Sequence, residues 1–165
     1  MRVLGLDPGL RRTGYGCIDA NPAGTAHAVV EAGVVNVPQR QPLATRLHTL
    51  HTEVARIIEE TSPELVVIEQ VFVHRDRAQT AMQMGHGRGV LLLAAAQHGL
   101  EVGELSPAEI KRAVTGSGRA TKEQIQLAVT SLLGLTVVPD QPDMADALAV
   151  AIAGAARAAS ARPAG

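Results

Sequence analysis

Short apolar runs alternate with amphipathic segments along this chain, and the alternation predicts an α/β fold. The runs that end at Asp7 and Glu69 lack polar alternation, which is typical of strands covered on both faces. A turn-forming cluster at Asn21–Gly24 predicts that the next two strands form an antiparallel meander with the first. The predicted strands are 2–7, 13–19, 26–37, 65–69 and 101–105. We therefore expect a five-stranded mixed sheet flanked by helices.

Apolar residues at helical spacing predict the helices that connect and follow these strands. The predicted helices are 42–60, 76–98, one capped by Ser106, one capped by Thr121, and 143–157. Both caps are followed by Glu or Gln three residues later, which is the pattern of a capping box. Glycines at 85, 87 and 89 weaken the second helix by about 1 kcal/mol each. Two explanations remain open, namely close approach by a second copy of the chain and a break near His86.

Four carboxylates occur where these elements begin or end. Asp7 and Glu69 each end a buried strand, and we expect parallel neighbouring strands that bring the two side by side. Asp143 and Asp146 both project from the first turn of the last helix. Simpler interpretations are a turn residue at Asp7, a solvent-exposed Glu69 and a helix cap at Asp143. Asp146 is harder to explain in this way, because it is the single charge between Met144 and Ala156.

Length and composition limit the domain number, the disulfide chemistry and the location of the protein. With 165 residues we expect one domain over 1–157 and a short flexible tail over 158–165. Cys17 is the only cysteine, so an internal disulfide is excluded and a packed side chain is expected. The charge-free stretches are too short to span a membrane, and the N-terminal residues do not have the pattern of an export signal. We therefore expect a cytoplasmic protein without membrane contact.

The candidate chemistry follows from charge. Clustered without a cation, the four carboxylates would repel each other, and Mg²⁺ or Mn²⁺ would remove this conflict. Two such ions about 4 Å apart activate water and stabilise the leaving oxygen in phosphodiester cleavage. The net charge is only −1, but Lys111, Arg112, Arg119 and Lys122 form a local basic segment suited to phosphate. These features favour a metal-dependent nuclease without excluding other interpretations.

Three motifs together resemble the RuvC family of Holliday-junction resolvases. They occur in family order and spacing, and they are Gly5-Leu6-Asp7-Pro8-Gly9 with Thr13-Gly14-Tyr15-Gly16, Ile68-Glu69-Gln70-Val71-Phe72, and Asp143-Met144-Ala145-Asp146-Ala147-Leu148-Ala149. The resemblance implies a ribonuclease H-like fold, a homodimer, a branch-migration motor as partner, and paired symmetric nicks in a four-way DNA junction during recombination and repair. It also places the catalytic and metal-binding role on Asp7, Glu69, Asp143 and Asp146.

The resemblance further assigns DNA contacts. Phe72 falls on the aromatic residue that stacks on an unpaired base, and the chain has one Phe, one Tyr and no Trp. Lys111, expected near the active-site charge, and Lys122, expected near DNA phosphate, fall on the family's two functional lysines. From their position after Phe72 we add Arg75 and Arg77 as phosphate contacts. The alternatives are a junction-binding protein without catalysis and an actin-like or sugar-kinase-like ATPase, whose phosphate loop also opens with an aspartate and glycines.

Overall fold

The elements found in the computed structural model follow the predicted order closely. The structure describes residues 1–25, 27–71 and 78–161. The strands are β1 (Arg2–Asp7), β2 (Arg12–Ala20), β3 (His27–Asn36), β4 (Leu65–Glu69) and β5 (Glu101–Leu105). The helices are α1 (Leu43–Thr61), α2 (Ala78–Gln97), α3 (Pro107–Thr115), α4 (Lys122–Leu132) and α5 (Pro142–Ala161).

The sheet has five strands in the order β3-β2-β1-β4-β5. β1 pairs with β2 antiparallel and β2 with β3 antiparallel, so the predicted meander is confirmed. β4 follows a helical crossover and pairs with β1 in parallel, and β5 pairs with β4 in parallel. The parallel half of the sheet therefore has all its C-terminal strand ends on one edge.

Helices cover both faces of the sheet. Apolar side chains of α1 and α2 pack with one face, and those of α3, α4 and α5 pack with the other. Alternate residues of β1 enter the two layers, since Leu4 and Leu6 contact the first core and Val3 the second. Cys17 is buried in the first core as expected. The site described below lies where this double covering ends, at the C-terminal edge of β1 and β4.

α5 is the helix most deeply embedded in the protein. By length and composition alone it would be long enough to cross a membrane, but residues 147–155 are buried within the described fold. Its apolar character is therefore accounted for by a core position. The helix also continues to Ala161, so the predicted helix end at about Arg157 was too early. Residues 158–161 contain no Gly or Pro, and alanine favours a helix. The flexibility of the tail stays a prediction, and residues 162–165 lie outside the described residues.

Local signals at the other helices gave correct bounds. Ser106 and Thr121 both form capping boxes with Glu109 and Gln124, respectively. α2 runs without interruption from Ala78 to Gln97, so the alternative of a break near His86 was wrong. Among the described residues, none would come within 4 Å of an added Cβ at Gly85, so this face of α2 is open with respect to them.

Candidate active site

Asp7 and Glu69 occupy the same edge of the sheet. β1 and β4 pair with Leu6 opposite Ile68, so the next residue of each strand lies beside the other. Both strands are buried up to these final residues, which are only partly exposed. Strand pairing thus produces the predicted juxtaposition of the two carboxylates.

The start of α5 approaches this edge because β1 and β2 have glycines beneath it. An added Cβ at Gly14, which pairs with Asp7, would overlap the backbone oxygen of Asp143. An added Cβ at Gly5 would overlap the backbone of the same helix at Ala147. Only residues without a side chain allow such close approach. The two glycines therefore fix the first turn of α5, and with it Asp143 and Asp146, against the carboxylate edge.

Electrostatic coupling shows that the four acids share one region. Burial raises the pKa of Asp7 to about 8, and the charges of Glu69, Asp146 and Asp143 add to the rise. Burial also raises the pKa of Glu69 to about 7, with a further contribution from Asp146. The pKa of Asp146 is raised by burial too, although Lys122 opposes the shift. A site with this much concentrated negative charge is suited to a cation.

Basic side chains hold two of the four acids. The Nε atom of Arg12 lies 2.8 Å from Oδ2 of Asp143, and the Nζ atom of Lys122 lies 3.4 Å from Oδ2 of Asp146. Within the described ranges, no three His, Cys, Asp or Glu side chains form a group that could hold one metal ion. The acids therefore surround a common region without forming a finished ligand shell. Their all-oxygen donor set fits a hard divalent cation, provided that Asp143 and Asp146 turn from their basic partners.

Both predicted lysines lie beside the acids. Lys111 and Lys122 line a cavity of about 250 Å³ together with Glu69 and Asp146. The positive charge of Lys111 lowers the pKa of Glu69, which opposes the effect of burial. Lys111 thus lies near the active-site charge, as predicted. Lys122 lies closer to the acids than we expected from a phosphate contact, because it forms an ion pair with Asp146.

Three of the predicted DNA contacts fall on residues that the structure does not describe, and one residue at the site was not predicted from the sequence. Phe72, Arg75 and Arg77 are outside the described residues, so their proposed DNA contacts stay predictions. Arg12 was not selected from the sequence, although it pairs with Asp143 and its Nη2 lies 3.3 Å from Oε1 of Gln141. The one available signal was its place just after the Asp7 turn, at the start of β2.

The raised pKa values predict how stability depends on pH in metal-free protein. Asp7 and Glu69 have folded-state pKa values of about 8 and 7, above their ordinary values of 3.8 and 4.5. The folded state therefore retains protons that the unfolded state releases, so stability should fall from about pH 4 to pH 8. One fully titrating group contributes a slope of about 1.4 kcal/mol per pH unit.

Urea unfolding at several pH values, with EDTA or with Mg²⁺, checks this prediction. Mg²⁺ should stabilise the protein most at the alkaline end, where the acids are ionised. The Asp7→Asn variant should show a weaker pH dependence in EDTA because one of the two groups is gone. Stability that rises with pH across the same window in EDTA would contradict the prediction.

The fold and the site together define a class of protein. The sheet has five strands and is mixed, with acids at the ends of two parallel neighbouring strands and at the start of a helix packed across them. This arrangement is that of a ribonuclease H-like nuclease. Solved structures agree. The chain superposes on the Thermus thermophilus RuvC structure with a TM-score of 0.88 and 32% identity, covering 96% of this chain and 95% of that one. It superposes equally well on T. thermophilus RuvC in complex with Holliday junction substrate, with a TM-score of 0.88, 29% identity and coverage of 98% and 97%.

Sequence relatives identify the family. The family model described as crossover junction endodeoxyribonuclease RuvC matches residues 3–154. The crossover junction endodeoxyribonuclease RuvC of Alkaliphilus oremlandii is 45% identical over 152 residues, covering 92% of this chain and 91% of the relative. That of Halorhodospira halophila is 46% identical over 151 residues, covering 92% and 87%. The chain belongs to the RuvC family of crossover junction endodeoxyribonucleases. The predicted family, fold and enzyme class are thereby confirmed.

Proposed function

We propose that this chain resolves four-way DNA junctions by hydrolysing one phosphodiester bond in each of two opposed strands, with Asp7, Glu69, Asp143 and Asp146 as its catalytic acids. The observation that supports this most directly is the placement of Asp7 beside Glu69 at paired strand ends, with the first turn of α5 packed against the same edge at Gly14. The family's metal-dependent nuclease chemistry and the Holliday junction bound by the T. thermophilus relative agree with it. The products would be a 5′-phosphate and a 3′-hydroxyl, which a ligase can reseal.

The residues suggest a division of roles. The charges of Glu69, Asp146 and Asp143 all act on Asp7, so these four carboxylates would together hold two Mg²⁺ or Mn²⁺ ions. When bound, the ions would supply water activation and charge stabilisation for the leaving oxygen. Lys111 keeps positive charge beside Glu69, which favours its ionised form. Lys122 can exchange Asp146 for a DNA phosphate, since both are anions within reach of one flexible side chain.

A nicking assay tests this function. The wild-type protein should cut a synthetic four-way junction at paired, symmetric positions in Mg²⁺ and should leave a linear duplex of the same sequence intact. Binding without nicking would support an inert junction-binding protein instead. ATP hydrolysis without nicking would support the ATPase alternative. Replacing Mg²⁺ by Mn²⁺ or Ca²⁺ in the same assay identifies the ions that support cleavage.

Paired nicking requires two active sites, and the open face of α2 suggests how two chains meet. Met82 is 61% exposed and Leu93 is 51% exposed, although both are large apolar residues. Between them lie Gly85 and Gly89, where an added Cβ would meet no atom of residues 1–25, 27–71 or 78–161 within 4 Å. A second helix can approach closely over such glycines, so we propose that α2 forms the homodimer contact. We also propose a cytoplasmic location and, from the family resemblance, a branch-migration motor as partner.

Acidic residues introduced on this face of α2 should dissociate the proposed homodimer. The double variant Met82→Glu/Leu93→Glu would place four carboxylates in a symmetric contact, so we expect a monomer by light-scattering mass measurement. Leu127→Glu is the control, because Leu127 is 63% exposed on α4, away from this face. A dimer that persists in the α2 variant, or a control that dissociates equally, would contradict the assignment.

A further inference from the structure

Two connections lie side by side at the catalytic edge, on the side away from Lys111 and Lys122. The turn after β1 provides Arg11, and the connection from β3 to α1 provides Arg40. A hydrogen bond of 3.0 Å from the amide of Val37 to the oxygen of Arg11 joins the two. Arg12 and Asn36 pair across β2 and β3 at the same level. The two connections therefore form one continuous surface.

The second connection is held in place by side chains. Nε2 of Gln39 donates to the oxygen of Val37 at 2.8 Å, and Nη2 of Arg46 donates to Oε1 of Gln39 at 2.8 Å. These bonds link the backbone before Arg40 to the side chain of Arg46 in α1 without using the guanidinium of Arg40. Arg40 and Arg11 both remain exposed.

This surface has an unbalanced positive charge. In the part of the chain that the structure describes, neither Arg11 nor Arg40 forms an ion pair, whereas Arg2, Arg56 and Arg88 do. Residues 32–52 contain no Asp or Glu, so Arg40 has no acidic neighbour nearby in the sequence. The first turn of α1 also has no acid. Such a surface is suited to an anion with several regularly spaced charges.

The surface formed by Arg11 and Arg40 lies close enough to the four acids for one DNA molecule to contact both. β3 lies two strands from β1, so its end is about 10 Å from that of β1. Lys111 and Lys122 flank the acids from α3 and α4, beyond β4. We propose that Arg11 and Arg40 form a second phosphate-binding surface, which holds the DNA backbone on the β3 side of the acids. This inference rests on the proposed function, since the DNA is the junction that the site would cut.

The salt dependence of junction binding tests the proposal. Fluorescence anisotropy in EDTA, between 50 and 200 mM KCl, gives the dissociation constant without cleavage. The variant Arg11→Gln/Arg40→Gln should bind about tenfold more weakly, and its slope of log affinity against log salt should fall by about 1.8 for two lost phosphates. Arg11→Lys/Arg40→Lys should retain most of the wild-type affinity and slope, because the charge is kept.

The matched control removes two arginines that are already paired. Arg2→Gln/Arg56→Gln lowers the net charge equally, at residues whose partners are Asp19, Glu53 and Glu60. It should bind as the wild type does, and thermal unfolding confirms that both variants fold. Equal affinity and slope in all proteins, or equal weakening in both Gln variants, would overturn the inference. Failure of the wild type itself to bind or nick the junction would instead overturn the proposed function.

Discussion

Asp7→Asn should reduce junction cleavage at least about 10³-fold while leaving junction binding intact or tighter. The substitution keeps the shape of the side chain and removes the one negative charge that all three other acids influence. Asp7 would no longer help to hold divalent cations, so the chemical step should fail. In EDTA the pKa of about 8 leaves Asp7 mostly protonated at neutral pH, so Asn removes only its remaining negative charge and binding should not weaken. Single-turnover cleavage in Mg²⁺ and anisotropy in EDTA separate the two effects.

Asp140→Asn is a suitable control for this experiment. Asp140 is exposed in the loop before α5, so the same chemical change occurs close to the site but outside the four acids. Its cleavage rate should match that of the wild type. Asp7→Asn protein that still cuts the junction at a near wild-type rate in Mg²⁺ would refute the assignment of Asp7.

Gly14→Ala should have the second large effect, although it adds only one methyl group. That group would overlap the backbone oxygen of Asp143, so either β2 or the start of α5 has to move. Overpacking of this kind costs about 1–3 kcal/mol of stability. Because the displaced turn holds Asp143 and Asp146, cleavage should fall by more than the loss of folded protein accounts for.

Gly103→Ala is the matched comparison, since this β5 glycine would gain only an ordinary contact, at 3.6 Å, with a methyl group of Val67. Urea unfolding and cleavage rates at a temperature where all variants are folded give the two quantities. Gly14→Ala with wild-type stability and cleavage would show that α5 is not fixed in the way we describe.

Much of this architecture could be predicted because its signals are local. The bounds of β4 follow from an apolar run that ends in the carboxylate of Glu69, and Ser106 and Thr121 provide both capping boxes. α5 extends past its predicted end at Arg157 because the residues that follow are mostly alanine, which has the highest helix propensity.

Contacts between segments that are distant in the sequence were harder to predict. The parallel pairing that brings Asp7 beside Glu69 could be expected from the crossover, since chain connectivity restricts it. The pairing of Arg12 with Asp143 could not, because it depends on how far α5 advances over β2. Gly5 and Gly14, which permit this close approach, belong to a motif that the sequence reveals, but the sequence does not reveal that α5 packs on them.

The two ion pairs at the site have a consequence for the order of events during turnover. Arg12 and Lys122 act as built-in counter-ions, so each inorganic ion that enters must compete with a side chain already present. A DNA backbone that attracts Lys122 would release Asp146 for that ion. Substrate and metal affinity are then reciprocally linked, and each strengthens the other to the same extent. Such an enzyme would bind its metal ions most tightly once a DNA backbone has taken up Lys122.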